Sequence, residues 1–218
     1  MKIVIQCAAR KAPDAGSFTT SDGRRVLFVA DPASAPYDRL QLNARPDDLA
    51  DDGRTWRNRL LAYNNEKNGN RLGLLPAWRL YAHDTYGRLV TKFGEGRVFI
   101  LSAGWGLIPA TFLTPLYDIT FTGSADEWKR RRKDDAYEDF VLMPDDGEDT
   151  IFLGGKDYQP LFCRLTQSLR GAKTVFFRSD LRPELPSGYK AVRYDTTTRT
   201  NWHYECARDL VMGRKATS

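Results

Sequence analysis

Asp118 closes a stretch whose composition resists both helix and strand. Residues 100–123 read ILSAGWGLIPATFLTPLYDITFTG. The stretch begins as a buried strand, then sets Ser102, Ala103 and Gly104 in succession, Trp105 between two glycines, and Pro109 and Pro115 ahead of Tyr117 and Asp118. Small residues allow close approach to a strand end, and the prolines stiffen an extended path. Such an arm holds Tyr117 and one carboxylate at a defined position, as an enzyme that must orient a carboxylate requires. Trp105 is either a surface on which a flat ligand stacks or a core aromatic. Asp118 is either that carboxylate or the cap of a turn.

Other chemistry-bearing residues follow short apolar runs. They are Gln6, Cys7, Arg10 and Lys11; Ser102, Gly104, Trp105 and Gly106; Gly154, Gly155 and Lys156; and Arg178, Ser179 and Asp180. In a parallel sheet these turns share one edge, where ligands bind. There the glycines admit a phosphate and the cations neutralise it. Strand ends also need glycine and polar residues for turning alone. In RTNWHYECA, Arg199, Asn201 and His203 stand at a helix start that attracts phosphate, with Glu205 on the same turn, while Trp202 and Cys206 are spaced as core residues. In the loop before residue 54, Asn43, Arg45 and Asp47 either contact a ligand or pair across a turn. Lys129 to Lys133, KRRRK, reads as a solvated helix face able to touch a nucleic-acid backbone. FLGGKDY lacks the spacing of both phosphate-loop and dinucleotide motifs.

These residues need elements to position them. Strands are expected at 3–5, 97–103, 149–155, 173–179 and 188–195, and a hairpin around Asp22-Gly23. Helices are expected at 54–68, 75–83, 84–93, 124–143 (capped by Ser124), 156–171 and 200–213. Alternating strands and helices predict a single α/β domain over 1–218, a three-layer α/β/α fold with a mainly parallel sheet. Residues 31–53, rich in Pro and Asp, read as an irregular excursion.

Composition sets bounds. The 218 residues carry 33 Lys and Arg against 28 Asp and Glu, a net charge of +5, which favours an anionic partner. Three dispersed cysteines form neither a disulfide framework nor a metal motif, and two histidines make structural zinc a poor fit; carboxylate metal sites stay open. The N-terminus reads as a first strand without a signal peptide, and no apolar run spans a bilayer, so a cytoplasmic protein is expected.

The 100–123 segment resembles the strand–SA–x–x–GL–P…P–Y–D segment of YaaA-like proteins, and is similar to accessory domains of archaeosine transglycosylases. Cys7 and Lys11 match the early Cys-x-x-x-Lys of that group. About thirty residues carry the resemblance; Trp105 before GL and the long excursion depart from it. The resemblance implies DNA or modified-nucleobase partners and a uracil-DNA-glycosylase-like fold, although neither uracil-glycosylase motif is visible. The expected activity is therefore a DNA glycosylase without a cofactor, acting on a flipped base.

Asp118 is the first choice for the carboxylate beneath the sugar, with Glu205 and Asp47 behind it. Asn43 and His203 would position water or read the base, with Ser102 and Asn201. Trp105, Tyr117, Trp202 and Tyr204 would stack. Lys11, Arg45, Lys156, Arg178 and Arg199 would hold phosphates. An extension names a modified cytosine of phage DNA, such as glucosylated hydroxymethylcytosine, and a defence role. The alternatives are a non-enzymatic DNA-binding stress protein and a deoxyribosyl-transferring enzyme of free nucleosides or nucleotides.

Overall fold

The apolar runs pair side by side because each lacks a polar face to turn to water. The computed structural model describes residues 1–66, 69–178 and 180–214. Asn68, the expected end of the first helix, and Ser179 lie outside them. The elements are β1 (Lys2–Gln6), β2 (Arg25–Val29), β3 (Gln41–Ala44), α1 (Trp56–Asn65), β4 (Leu75–Pro76), α2 (Ala77–Leu80), α3 (Asp84–Phe93), β5 (Val98–Ser102), β6 (Gly106–Pro109), β7 (Leu113–Thr114), β8 (Tyr117–Asp118), β9 (Phe140–Val141), β10 (Thr150–Leu153), α4 (Gln159–Thr166), β11 (Lys173–Phe177), β12 (Tyr189–Arg193) and α5 (Trp202–Val211).

A seven-stranded sheet has the order β12-β11-β10-β1-β5-β6-β9. Strands β12 through β5 in that order are parallel, β6 turns back antiparallel to β5, and β9 runs parallel to β6. In β1, Ile3, Val4 and Ile5 are fully buried. Phe162 of α4 stacks on Phe152 of β10 with ring centroids 4.5 Å apart. Helices α3 and α5 pack on each other and reach β5 and β10. The protein is thus an α/β structure with a mainly parallel central sheet and helices around it, in keeping with α/β/α layering. A second, smaller sheet, β3-β2-β8, is entirely parallel.

Three expectations change. Residues 124–143 form one 3₁₀ turn, Glu127–Lys129, and then extended chain, not a helix. That stretch has no apolar stripe at helical spacing, and its arginines alternate instead: Arg131 is buried while Arg130 and Arg132 are exposed. Thr120 pairs with this strand-like run, accepting from the Arg131 amide and donating its own amide to the Lys129 carbonyl, each at 2.9 Å. The 31–53 excursion contains β3. The expected 75–83 helix shortens to Ala77–Leu80, because Leu75 and Pro76 pair with β7 instead.

No helix follows β5 because the chain reverses there. Ser102 pairs with Gly106, leaving Ala103, Gly104 and Trp105 as a three-residue loop. Gly106 has φ +87°, and a Cβ there would meet the Phe140 backbone at 2.6 Å. Gly106→Ala is expected to lower stability by roughly 2 kcal/mol or more. Gly96→Ala, where a Cβ meets nothing within 4 Å, should stay within about 0.5 kcal/mol. Chemical denaturation of the two variants checks the contrast.

Candidate functional site

The hairpin loop after β5 buries three successive carbonyls, and two buried arginines answer them. Arg57, on the inner face of α1, donates to the Gly104 carbonyl at 3.0 Å and the Trp105 carbonyl at 3.2 Å. Arg131 donates to the Ala103 carbonyl at 2.8 Å. Their side chains are 2% and 1% exposed, and each guanidinium has a carboxylate, Asp47 for Arg57 and Asp139 for Arg131. Asp139 also takes a bond from Arg164 at 2.7 Å. The loop amides are held too: Gly104 and Trp105 donate to Ser102 Oγ, and Ala103 donates to Cys7 Sγ.

Behind this loop lies a closed group of hydroxyls, a thiol and an amine. Tyr117 and Tyr81 share a hydrogen bond of 2.8 Å, and Ser102 joins Tyr117 at 2.9 Å. Tyr158 lies 3.2 Å from Cys7 Sγ. Gln6 accepts from the Gly155 amide through its side chain at 2.6 Å and from Tyr86 through its carbonyl at 2.8 Å. Burial, with Cys7 adding to it, pushes the hydroxyls of Tyr81, Tyr117 and Tyr158 above the ordinary phenol range, so they stay protonated donors. Lys11 brings its Nζ 4.3 Å from the centre of the Tyr117 ring. That Nζ is buried and has no hydrogen-bond partner. Burial lowers its pKa and Lys129 adds to the effect, opposed by Cys7 and Asp118.

Asp118 faces the other way. Alternation along β8 puts Tyr117 inward and Asp118 on the opposite face. The register of the small sheet sets Asp118 beside Val29 and Asn43 beside Leu27, so Asp118 and Asn43 share that face. Asp118 is about one-third exposed and pairs with Lys129 at 3.1 Å. Asn43 bonds to Gln41 and to the Pro36 carbonyl.

A cleft of about 410 Å³ opens where β3, β2 and β8 end, lined by Asp31, Arg45, Phe121, Arg130, Arg131 and Arg132 among others. Glu127 and Asp135 also line it, so four arginines face three carboxylates. Phe121 separates cleft from closed group, its ring 5.0 Å from that of Tyr158.

The structure therefore divides the expected site. Cys7, Lys11, Ser102 and Tyr117 come together behind the loop. Asn43 and Asp118 share the small-sheet face, with Arg45 on the cleft and Asp47 in the arginine clamp. Trp105 is fully buried, edge-on to Phe28 and Tyr117, with no face left for a ligand. His203 is buried between the rings of Trp202 and Tyr204, and its Nε2 has no hydrogen-bond partner. Trp202 packs on Tyr194, Glu205 accepts from Thr196 at 2.7 Å, and Arg199 and Asn201 are exposed. Lys156 is exposed, and Arg178 is half-buried. Sequence reasoning missed Arg57, Arg131, Asp139 and Tyr158. The one signal for Arg131 was a cation run too dense to sit on one helix face. Among the described residues no three His, Cys, Asp or Glu side chains group as metal ligands.

Two outcomes are expected. Asp139→Asn leaves Arg131 buried without its carboxylate and should lower stability by about 3 kcal/mol or more; Arg164→Ala, at a half-exposed partner, should lower it by less than about 1 kcal/mol. His203 bears on acid stability. Burial, with His83 contributing, holds its pKa near about 4. The unfolded chain takes up that proton below about pH 6.5, so stability falls as pH drops from 6.5 towards 4. In His203→Phe, melting temperature should vary less between pH 6.5 and 5 than in the wild type.

No family model matches the chain, and neither a curated protein nor a solved structure matches it.

Proposed function

We propose that the protein is a DNA glycosylase of uracil-DNA-glycosylase-like architecture, hydrolysing the N-glycosidic bond of a modified nucleobase. The observation that carries this reading is the placement of Asp118. It stands one-third exposed on the end strand of a small parallel sheet, paired with Lys129 and three residues before Phe121, which lines the arginine-rich cleft at the carboxyl ends of that sheet, although Asp118 itself does not line the cleft. Arg45, Arg130 and Arg132 would neutralise backbone phosphates. Asp118 would stabilise positive charge building on the sugar or activate water. Lys129 is held as an ammonium by Asp126 and Asp118 and keeps the Asp118 carboxylate in place. Asn43, on the same face, would read a base edge or orient water.

The test is a panel of duplex and single-stranded DNAs with modified bases, glucosylated hydroxymethylcytosine included, followed by alkaline cleavage at abasic sites. Wild type should cut one member, and Asp118→Asn should cut it at least 100-fold more slowly. Base release at equal rates by both would remove Asp118 from the mechanism. No cleavage with intact salt-sensitive binding would favour a non-enzymatic DNA-binding protein. In the same assay series, Arg130→Ala with Arg132→Ala should weaken DNA binding and flatten its dependence on log salt by about 2.

A further inference from the structure

A second cleft, of about 520 Å³, opens beside the first and is lined by Tyr37, Arg39, Gln41, Asn43 and Trp128 among others. We propose, resting on the glycosylase reading for DNA as the partner, that this cleft holds one unpaired nucleobase, stacked on the Trp128 indole and covered by the Tyr37 ring.

Both rings are available. Tyr37 is 91% exposed, and neither Tyr37 nor Trp128 packs on another aromatic ring among the described residues. Bare aromatic faces on one cleft suit a flat ligand, and every nucleobase offers a π-face. Lys129 Nζ lies 4.6 Å from the centre of the Trp128 ring and 3.1 Å from Asp118 Oδ2. One ammonium therefore joins the stacking wall to the carboxylate proposed to act at the sugar.

The walls are pinned in advance. The Trp128 carbonyl accepts from the Ala30 and Asp31 amides, each at 2.9 Å. Across the cleft, the Pro36 carbonyl accepts from Asn43 at 3.1 Å. Asp38 accepts from the Leu40 amide at 2.9 Å through its side chain and from the Gln41 amide at 3.1 Å through its carbonyl. Tyr37 thus stands on a loop tied on both sides, which lowers the cost of ordering it around a ligand.

The polar groups fit a base and its phosphates. Gln41 donates to Asn43 Oδ1 at 2.8 Å. Asn43 has two amide hydrogens and gives one to Pro36, so one donor remains for a base edge, together with the Gln41 Oε1 acceptor. Arg39 is exposed and has no ion pair among the described residues. The two clefts share a wall, because Glu127 and Arg130 line the first and Trp128 the second. A strand with its base against Trp128 would carry flanking phosphates to Arg39 on one side and Arg130 on the other. A free sugar has neither the π-face nor the charges to meet these groups.

The test measures binding of the full chain, by fluorescence anisotropy, to three labelled DNA duplexes: fully paired, with a one-nucleotide bulge, and with an abasic unit as the bulge. Wild type should bind the base-bearing bulge at least about fivefold more tightly than the abasic one. Tyr37→Ala and Trp128→Ala should each bring that ratio below about twofold without changing the salt dependence of abasic-bulge binding, since no phosphate contact is lost. Trp128→Phe should keep the preference. Irradiating wild type with 5-iodouracil at the bulge should give a crosslink that maps to Tyr37 or Trp128, a result independent of how the variants fold. Equal binding with and without the base, or crosslinks mapped only to other residues, would overturn the inference. A base preference without base release from the modified-DNA panel upholds the stacking cleft and sinks the glycosylase reading; base release with neither preference nor crosslink at these rings does the reverse.

Discussion

The structure depends on two buried guanidiniums that satisfy three consecutive carbonyls. The Ala103–Trp105 loop caps the central sheet where water is excluded, and an unpaired carbonyl there would lose the full value of its hydration. Arg57 and Arg131 supply the donors, and Asp47 and Asp139 balance the charges. The partners come from four parts of the chain. Arg57 brings α1, Asp47 the excursion after β3, Arg131 and Asp139 the extended run before β10, and Arg164 the helix α4. The elements framing the cleft are therefore tied to one set of oxygen atoms. Displacing any of these residues disturbs the loop, and with it Ser102 and Cys7.

Splitting the strands between a mainly parallel sheet and a small parallel one is what creates an inside and an outside for the Tyr117–Asp118 pair. Pro109 at the end of β6 and Pro115 before β8 carry the chain from the large sheet to the edge of the small one. Two adjacent residues then meet opposite environments. Tyr117 enters the hydroxyl group shared with Ser102 and Tyr81, and Asp118 meets Lys129 on the other face. The arm is also held by the β7 pairing and by Asn64, which bonds the Leu113 backbone in both directions.

Two chemical environments lie back to back with the Phe121 ring between them. On one side four arginines and three carboxylates line an open cleft. On the other, protonated tyrosines, a thiol and an amine with no hydrogen-bond acceptor occupy a dry interior. Low dielectric makes that interior intolerant of unpaired charge, which is why the amine of Lys11 stands out against tyrosines that all find partners.

The sequence by itself determined the α/β class, the five apolar strands that make most of the central sheet, the helix at 84–93 and a closing helix expected at 200–213 and formed at Trp202–Val211, because apolar periodicity is local. It also marked Cys7 and Lys11 through their place at the end of the first apolar strand, and Ser102, Tyr117 and Asp118 through the small-residue and proline pattern around them. Tertiary structure alone decided the rest. Trp105 entered the core because Phe28 and Tyr117 closed over it. The 124–143 run became extended chain because Arg131 found buried carbonyls and Asp139, contacts that no local propensity encodes. Asn43 came onto the face of Asp118 only through the register of a sheet assembled from segments more than seventy residues apart. His203 stayed with the aromatic rings of α3 and α5 for the same reason: desolvation and long-range packing choose a side chain's surroundings, and a linear pattern does not record them.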